Sequence, residues 1–164
     1  MRADWSEIDA QERTWTIPGA KMKCREAHVV YLSDRAVEIL RGQEGQHKSI
    51  VFPSPTKPDA PMSNMGLAMM LRRLRGKGPT VHGFRASFST WANELGVARP
   101  DVIEAALAHN ERDRVRRAYN RALFMTERRT LMARWTSFLE CRSFGLGESP
   151  RPADVAMMPL QSAA

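Results

Sequence analysis

The chain has 164 residues, with 25 Lys and Arg against 18 Asp and Glu, a net charge of +7 and a sequence pI near 10.1. A hydrophobic share of 43%, a charged share of 26% and a mean hydropathy of −0.43 describe one globular domain, or one with a short appendage, and exclude a disordered chain. No apolar run is long enough to span a bilayer, and the polar start Met1-Arg2-Ala3-Asp4-Trp5 lacks the apolar stretch of a secretory signal, so a cytoplasmic, membrane-free setting is expected. Cys24 and Cys141 are the only cysteines and stand far apart in sequence, which predicts two reduced thiols and no cysteine metal site. The surplus of cations favours a polyanionic partner, and their placement strengthens that reading.

Trp15-Thr16-Ile17, stopped by Pro18, and His28-Val29-Val30-Tyr31-Leu32 are rich in β-branched and aromatic residues and predict two strands. The link between them reads as a hairpin whose tip carries Lys21, Lys23 and Arg25 outward. Ser33 predicts an N-cap for a short helix over 34–40, with Ala36, Val37, Ile39 and Leu40 on its apolar side and Gly42 as its stop. Residues 42–62 carry two glycines and four prolines around Val51-Phe52 and predict a loop with a short buried insert. After Ser63, Leu67, Met70, Leu71 and Leu74 repeat at helical spacing, and Arg72, Arg73, Arg75 and Lys77 crowd the end. Those cations suit a helix C-terminus and would also suit a facing phosphate.

A longer helix is predicted over Thr80 to Gly96, with Phe84, Phe88, Trp91 and Leu95 as a core stripe. His82, Arg85 and Ser89 share its other side, where their side chains can converge. Pro100 predicts the start of a helix that runs through Leu107 and stops near His109. A basic run follows, in which Tyr119 stands among arginines at 112, 114, 116, 117 and 121. The last predicted helix begins near Thr126 and carries Leu131, Trp135, Phe138 and Leu139, with the two aromatics free to pack in cis or to dock on a neighbouring copy. From Ser143 onward glycine and proline dominate, so 143–164 reads as a disordered tail behind a domain over 1–142.

His82 and Arg85 lie one helical turn apart and can bind the same anion, one through an adjustable proton and one through a fixed fork of donors. A phenol titrates near pH ~10 and is a weak nucleophile at neutral pH, so a cationic setting around Tyr119 would stabilise the phenolate that attacks phosphorus. The order Lys23, HGFR at 82–85, LAH at 107–109 and AYNR at 118–121 resembles the catalytic domain of tyrosine recombinases of the phage and prophage integrase type. WTIP at 15–18, HVVYLS at 28–33, VFP at 51–53, PMSN at 61–64, TVHGFRASFSTWANE at 80–94, VIEAALAH at 102–109 and LMARW at 131–135 look like that subfamily as well. The likeness covers residues 2–139.

The resemblance implies a mainly α fold with a small antiparallel β-sheet near the N-terminus. It implies double-stranded DNA as substrate, no cofactor and no metal, and a homo-oligomer that is a tetramer on DNA. Position by position it makes Tyr119 the nucleophile that forms a 3′-phosphotyrosine, Arg85 the ligand of the non-bridging oxygens, His82 a proton carrier and His109 a further donor. Lys23 matches the lysine that protonates the leaving 5′-oxygen, with Lys21 as the weaker alternative. Arg72, Arg73, Arg75, Arg116, Arg117 and Arg121 are candidate DNA contacts. The family has another active-site arginine upstream of the tryptophan that here is Trp5, and the sequence begins four residues before Trp5, so impaired cleavage is expected of the chain as it stands. Where relatives carry proline in a VPLS pattern, this chain has Tyr31. Two other readings of the same cations are a DNA-binding module without catalysis and a type IB topoisomerase-like relaxation of DNA.

Overall fold

The run Thr14–Ile17 forms the middle strand of a three-stranded antiparallel sheet in the computed structural model, which describes residues 2–108 and 124–143. Strand β1 (Ile8–Asp9) and strand β3 (His28–Tyr31) flank β2 (Thr14–Ile17), and Trp15 pairs with Ile8 on one side and Val30 on the other. Ile17 pairs with His28, and Pro18, which has no N–H to give the ladder, ends the strand. Tyr31, opposite Thr14, is buried.

The chain divides into two compact units, Met1–Ala86 and Ser87–Ala164. In the first, a 3₁₀ turn over Trp5–Glu7 precedes the sheet and is capped by Asp4, whose Oδ1 accepts from the Ser6 amide at 3.1 Å. Hydrogen bonds from Trp5 N to Ser49 O (2.8 Å) and from Val51 N to Ala3 O (3.1 Å) fasten the distant loop to this turn and bury Val51 completely. Helix α1 (Asp34–Arg41) starts where Ser33 Oγ accepts from the Ala36 amide. Val37 is its buried residue, whereas Ile39 stays exposed, because at 100° per residue it sits nearly opposite Val37.

Helix α2 (Asn64–Arg75) is capped by Ser63 and closed by Gly76, whose φ of 72° suits glycine and whose amide bonds Arg72 O at 2.9 Å. None of its residues is buried, and Met65, Met69, Met70 and Leu74 are exposed. Helix α3 (Val81–Glu94) begins at Thr80, whose Oγ1 accepts from the Gly83 amide at 2.9 Å. The expected core stripe along α3 is only partly realised. Phe88 and Trp91 are buried and Leu95 packs on them, but Phe84 is 58% exposed, since its turn of the helix belongs to the first unit, where the neighbouring α2 buries nothing.

The second unit is built on apolar packing. Pro100 occupies the first turn of α4 (Pro100–Ala106), which turns Val102 and Ile103 fully inward, and α5 (Met125–Ser143) contributes Leu131 at 1% exposure. Trp135 and Phe138 pack in cis: the Trp135 ring lies 4.9 Å from Trp91 and meets Phe88 edge-on at 5.5 Å, and Phe138 stacks on Trp135 at 5.6 Å. Arg99 lies over the Phe124 ring and bonds Glu127 at 3.2 Å, while Arg134 donates to Val97 O at 3.0 Å. The expected tail after Ser143 lies outside the described residues.

Candidate functional site

The link between β2 and β3 is more ordered than an open hairpin tip. A 3₁₀ turn at Gly19–Lys21 leads into a reverse turn in which the Arg25 amide bonds Met22 O at 3.0 Å, leaving Lys23 and Cys24 as its two central residues. Gly19 lies against the far end of the same link: a Cβ there would sit 2.4 Å from Arg25 O. Lys23 is exposed at the apex.

Lys21, also exposed, differs in having its ammonium engaged. Its ammonium pairs with Glu7 Oε1 and also donates to Arg2 O at 2.6 Å. The reason lies with Glu7, which is 8% exposed and, as a buried carboxylate, requires compensation. Trp15 Nε1 donates to its Oε2 at 3.2 Å and the Asp4 amide does so at 3.4 Å. Burial pushes the Glu7 carboxyl up, but the hydrogen bonds from Lys21, Trp15 and Asp4 and the charge of Lys21 outweigh it and hold the group below its ordinary range.

A second feature lies on the same unit. The last turn of α2, the Gly76–Thr80 connection and the first turn of α3 enclose an open groove of about 900 Å³. Arg72, Lys77, His82 and Arg85 line it above half-buried Leu67 and Leu71, and no carboxylate is among its lining residues. Gly76 (φ 72°) and Gly78 (φ 142°) let the chain reverse between the helices. The groove therefore gathers three fixed cations and one imidazole beside the N-terminal end of α3, an arrangement that favours an anion electrostatically.

The structure thus brings His82, Arg85 and Arg72 to one groove, while Arg73 and Arg75 are exposed on α2 without lining it. Ser89, expected beside His82 and Arg85, is not part of the lining; its carbonyl accepts from Asn93 Nδ2 at 2.8 Å. His109, Tyr119, Arg116, Arg117 and Arg121, with Arg112 and Arg114, lie outside the described residues. Sequence reasoning passed over Glu7, an acid whose partner is fourteen residues away, and Gly19, whose close approach to Arg25 no local pattern announces. Lys77 was visible only as one more cation at a helix end. Among the described residues no three His, Cys, Asp or Glu side chains gather to hold a metal, and no helix is long and apolar enough to cross a membrane.

The model of the phage integrase family matches residues 1–125. The chain is 41% identical to prophage integrase IntA of Escherichia coli K12 over 146 residues, which is 87% of this chain and 35% of that protein. It is 36% identical to prophage integrase IntZ of the same strain, over 90% of this chain and 37% of that one. It is 32% identical to the integrase of Shigella phage Sf6, over 83% of this chain and 36% of that one. The chain thus spans about a third of the length of the relatives it matches. No solved structure matches it.

Proposed function

Since the chain belongs to the phage integrase family, we propose that residues 1–142 carry the catalytic domain of a site-specific DNA recombinase, with 143–164 as an appended tail. The observation that carries the reading is the groove that holds Arg72, His82 and Arg85 together, within a family match that also covers Lys23, His109 and Tyr119. Its partner is double-stranded DNA, engaged by a homo-oligomer with four copies on the recombining sites.

In this reading the scissile phosphate sits in the groove, where Arg85 donates to its non-bridging oxygens and neutralises charge that grows as phosphorus becomes five-coordinate. His82 hydrogen-bonds the same phosphate and exchanges a proton with it, and His109 supplies another donor. The Tyr119 oxygen attacks phosphorus, its proton passing to a base, and the bond to the 5′-oxygen breaks while Lys23 gives that oxygen a proton. The products are a 3′-phosphotyrosine and a free 5′-hydroxyl. Because one ester replaces another, the 5′-hydroxyl of a second strand can reverse the step and expel Tyr119, with no nucleotide cofactor consumed. Arg72, Arg73, Arg75, Arg116, Arg117 and Arg121 hold the flanking phosphates, which makes binding fall with salt.

The test is a duplex binding and trapping experiment with the Tyr119→Phe variant. The variant removes a hydroxyl and no charge, so salt-sensitive binding persists while every covalent adduct disappears. An adduct that survives in Tyr119→Phe overturns the assignment of the nucleophile. Binding without any adduct in the parent chain points to a DNA-binding module. Relaxation of supercoiled DNA without a partner site points to topoisomerase-like chemistry.

A further inference from the structure

We infer that Glu7 is a positioning residue for Lys23, acting through Lys21, and that the tie between the buried carboxylate and this lysine holds the β2–β3 link in the conformation from which Lys23 meets DNA. The inference rests on the reading of Lys23 as the proton donor to the 5′-oxygen. A lysine on a flexible stem carries a large rotamer and loop entropy, so a donor on an open hairpin tip would spend little of its time at the leaving oxygen. Three observations show that this link is fixed rather than open. Gly19 packs against the Arg25 carbonyl, where a side chain would not fit. Arg25 adopts a left-handed φ of 55°, a conformation costly for a residue with a Cβ and kept only where the surroundings enforce it. Lys21, two residues before Lys23, is tied to Glu7 and to the Arg2 carbonyl, so the link is fastened to the 3₁₀ turn that opens the chain.

Glu7 is in turn fixed by two further donors. Trp15 of the central strand donates to it, and the Asp4 amide donates to it as the capping contact of the turn Trp5–Glu7. An exposed surface pair would contribute little, but here the carboxylate is buried and its bonds are charge-assisted. The two lysines of the link therefore divide the work. Lys21 is the tether, its ammonium engaged by Glu7, and Lys23 stands at the apex of the turn that the tether orients.

The experiment uses the whole 164-residue chain and three variants: Lys21→Met, which removes the tether; Lys21→Arg, which keeps charge and donors; and Glu7→Gln. Amide hydrogen exchange is read at Arg25, whose N–H closes the turn around Lys23. Exchange there is expected to rise about tenfold in Lys21→Met and Glu7→Gln and to return towards the parent value in Lys21→Arg, while α4 and α5 keep their protection. Unchanged exchange at Arg25 in both tether variants overturns the inference. So does a loss of protection spread over the whole chain in both, which would make the pair a general stabiliser.

A second arm separates this result from the fate of Lys23 itself. Adduct formation is compared on a duplex with an ordinary phosphodiester and on one whose bridging 5′-oxygen is sulfur, a leaving group that departs without a proton. If Lys23 is the donor, Lys23→Ala slows cleavage of the oxygen ester alone, and Lys21→Met does the same more weakly. If Lys23→Ala is restored by sulfur and Lys21→Met is not, the positioning inference fails while the donor stands. If sulfur restores neither, the reading of Lys23 fails, and the exchange measurement alone decides whether Glu7 orders the link.

Discussion

The two units hold themselves together by different means. Residues 87–108 and 124–143 build a core from large apolar side chains, with Val102, Ile103 and Leu131 almost wholly buried and a four-ring cluster of Phe88, Trp91, Trp135 and Phe138. Residues 2–86 bury Ala3, Tyr31, Val37 and Val51 but leave α2 without a buried residue, and rely on caps, bridges between distant backbone segments and one buried carboxylate tied to a lysine. The described candidate residues Lys23, Arg72, His82 and Arg85 all belong to this second kind of construction. A surface meant to meet a polyanion needs exposed cations and room around them, and α3 divides accordingly, with His82 and Arg85 on its open first turns and Phe88 and Trp91 in the apolar core.

The largest effect is expected from truncating the apolar core. Leu131→Ala is expected to cost the second unit about 2–5 kcal/mol, read as a lowered midpoint in denaturant unfolding, because the side chain is fully enclosed. Glu7→Gln should destabilise the first unit by a smaller amount, about 1–2 kcal/mol at neutral pH, through loss of charge-assisted hydrogen bonds. That gap depends on pH in a defined direction. The Glu7 carboxyl is held below the ordinary carboxylate range, so in acid the unfolded chain takes up the proton first and stability falls as pH drops through that range. Parent and Glu7→Gln should therefore converge once pH has fallen through the native-state pKa, and urea titrations at pH 7 and pH 3 would check it. A gap that widened in acid would contradict the assigned role of the pair.

Arg85→Ala should weaken duplex binding and reduce the slope of log affinity against log salt by about 1, with no loss of fold, as an isothermal or fluorescence titration series would record. The smallest effect is expected at Phe84. Although it continues the apolar stripe of α3, it is exposed, so Phe84→Ser should shift stability by no more than about 0.5 kcal/mol. A cost as large as that of Leu131→Ala would mean that Phe84 is part of a core after all.

The difference between the units also explains what could be read in advance. Ser33, Ser63 and Pro100 mark helix starts by local chemistry, and the strands around Trp15 and Val29 follow from residue type, so these elements were legible. His82 and Arg85 share a groove because a three-residue spacing on a helix puts them there. The contacts that organise the β2–β3 link were not legible. Glu7 with Lys21, and Gly19 with Arg25, are tertiary encounters, and nothing in the spacing of an acid or a single glycine distinguishes them from solvated residues. Periodicity failed for the same reason at Phe84 and Ile39: it says which residues share a face, but only the neighbouring elements say whether that face is covered.

As the proposed nucleophile, Tyr119 becomes covalently joined to DNA. The most direct measurement is mass spectrometry of peptides from the chain after prolonged incubation with duplex DNA, denaturation and nuclease digestion. The expected product is a nucleotide linked through its 3′-phosphate to the peptide that contains Tyr119, with no such peptide from Tyr119→Phe. A nucleotide attached to a different side chain, or none at all on a chain shown to be bound to the DNA throughout, would contradict that role.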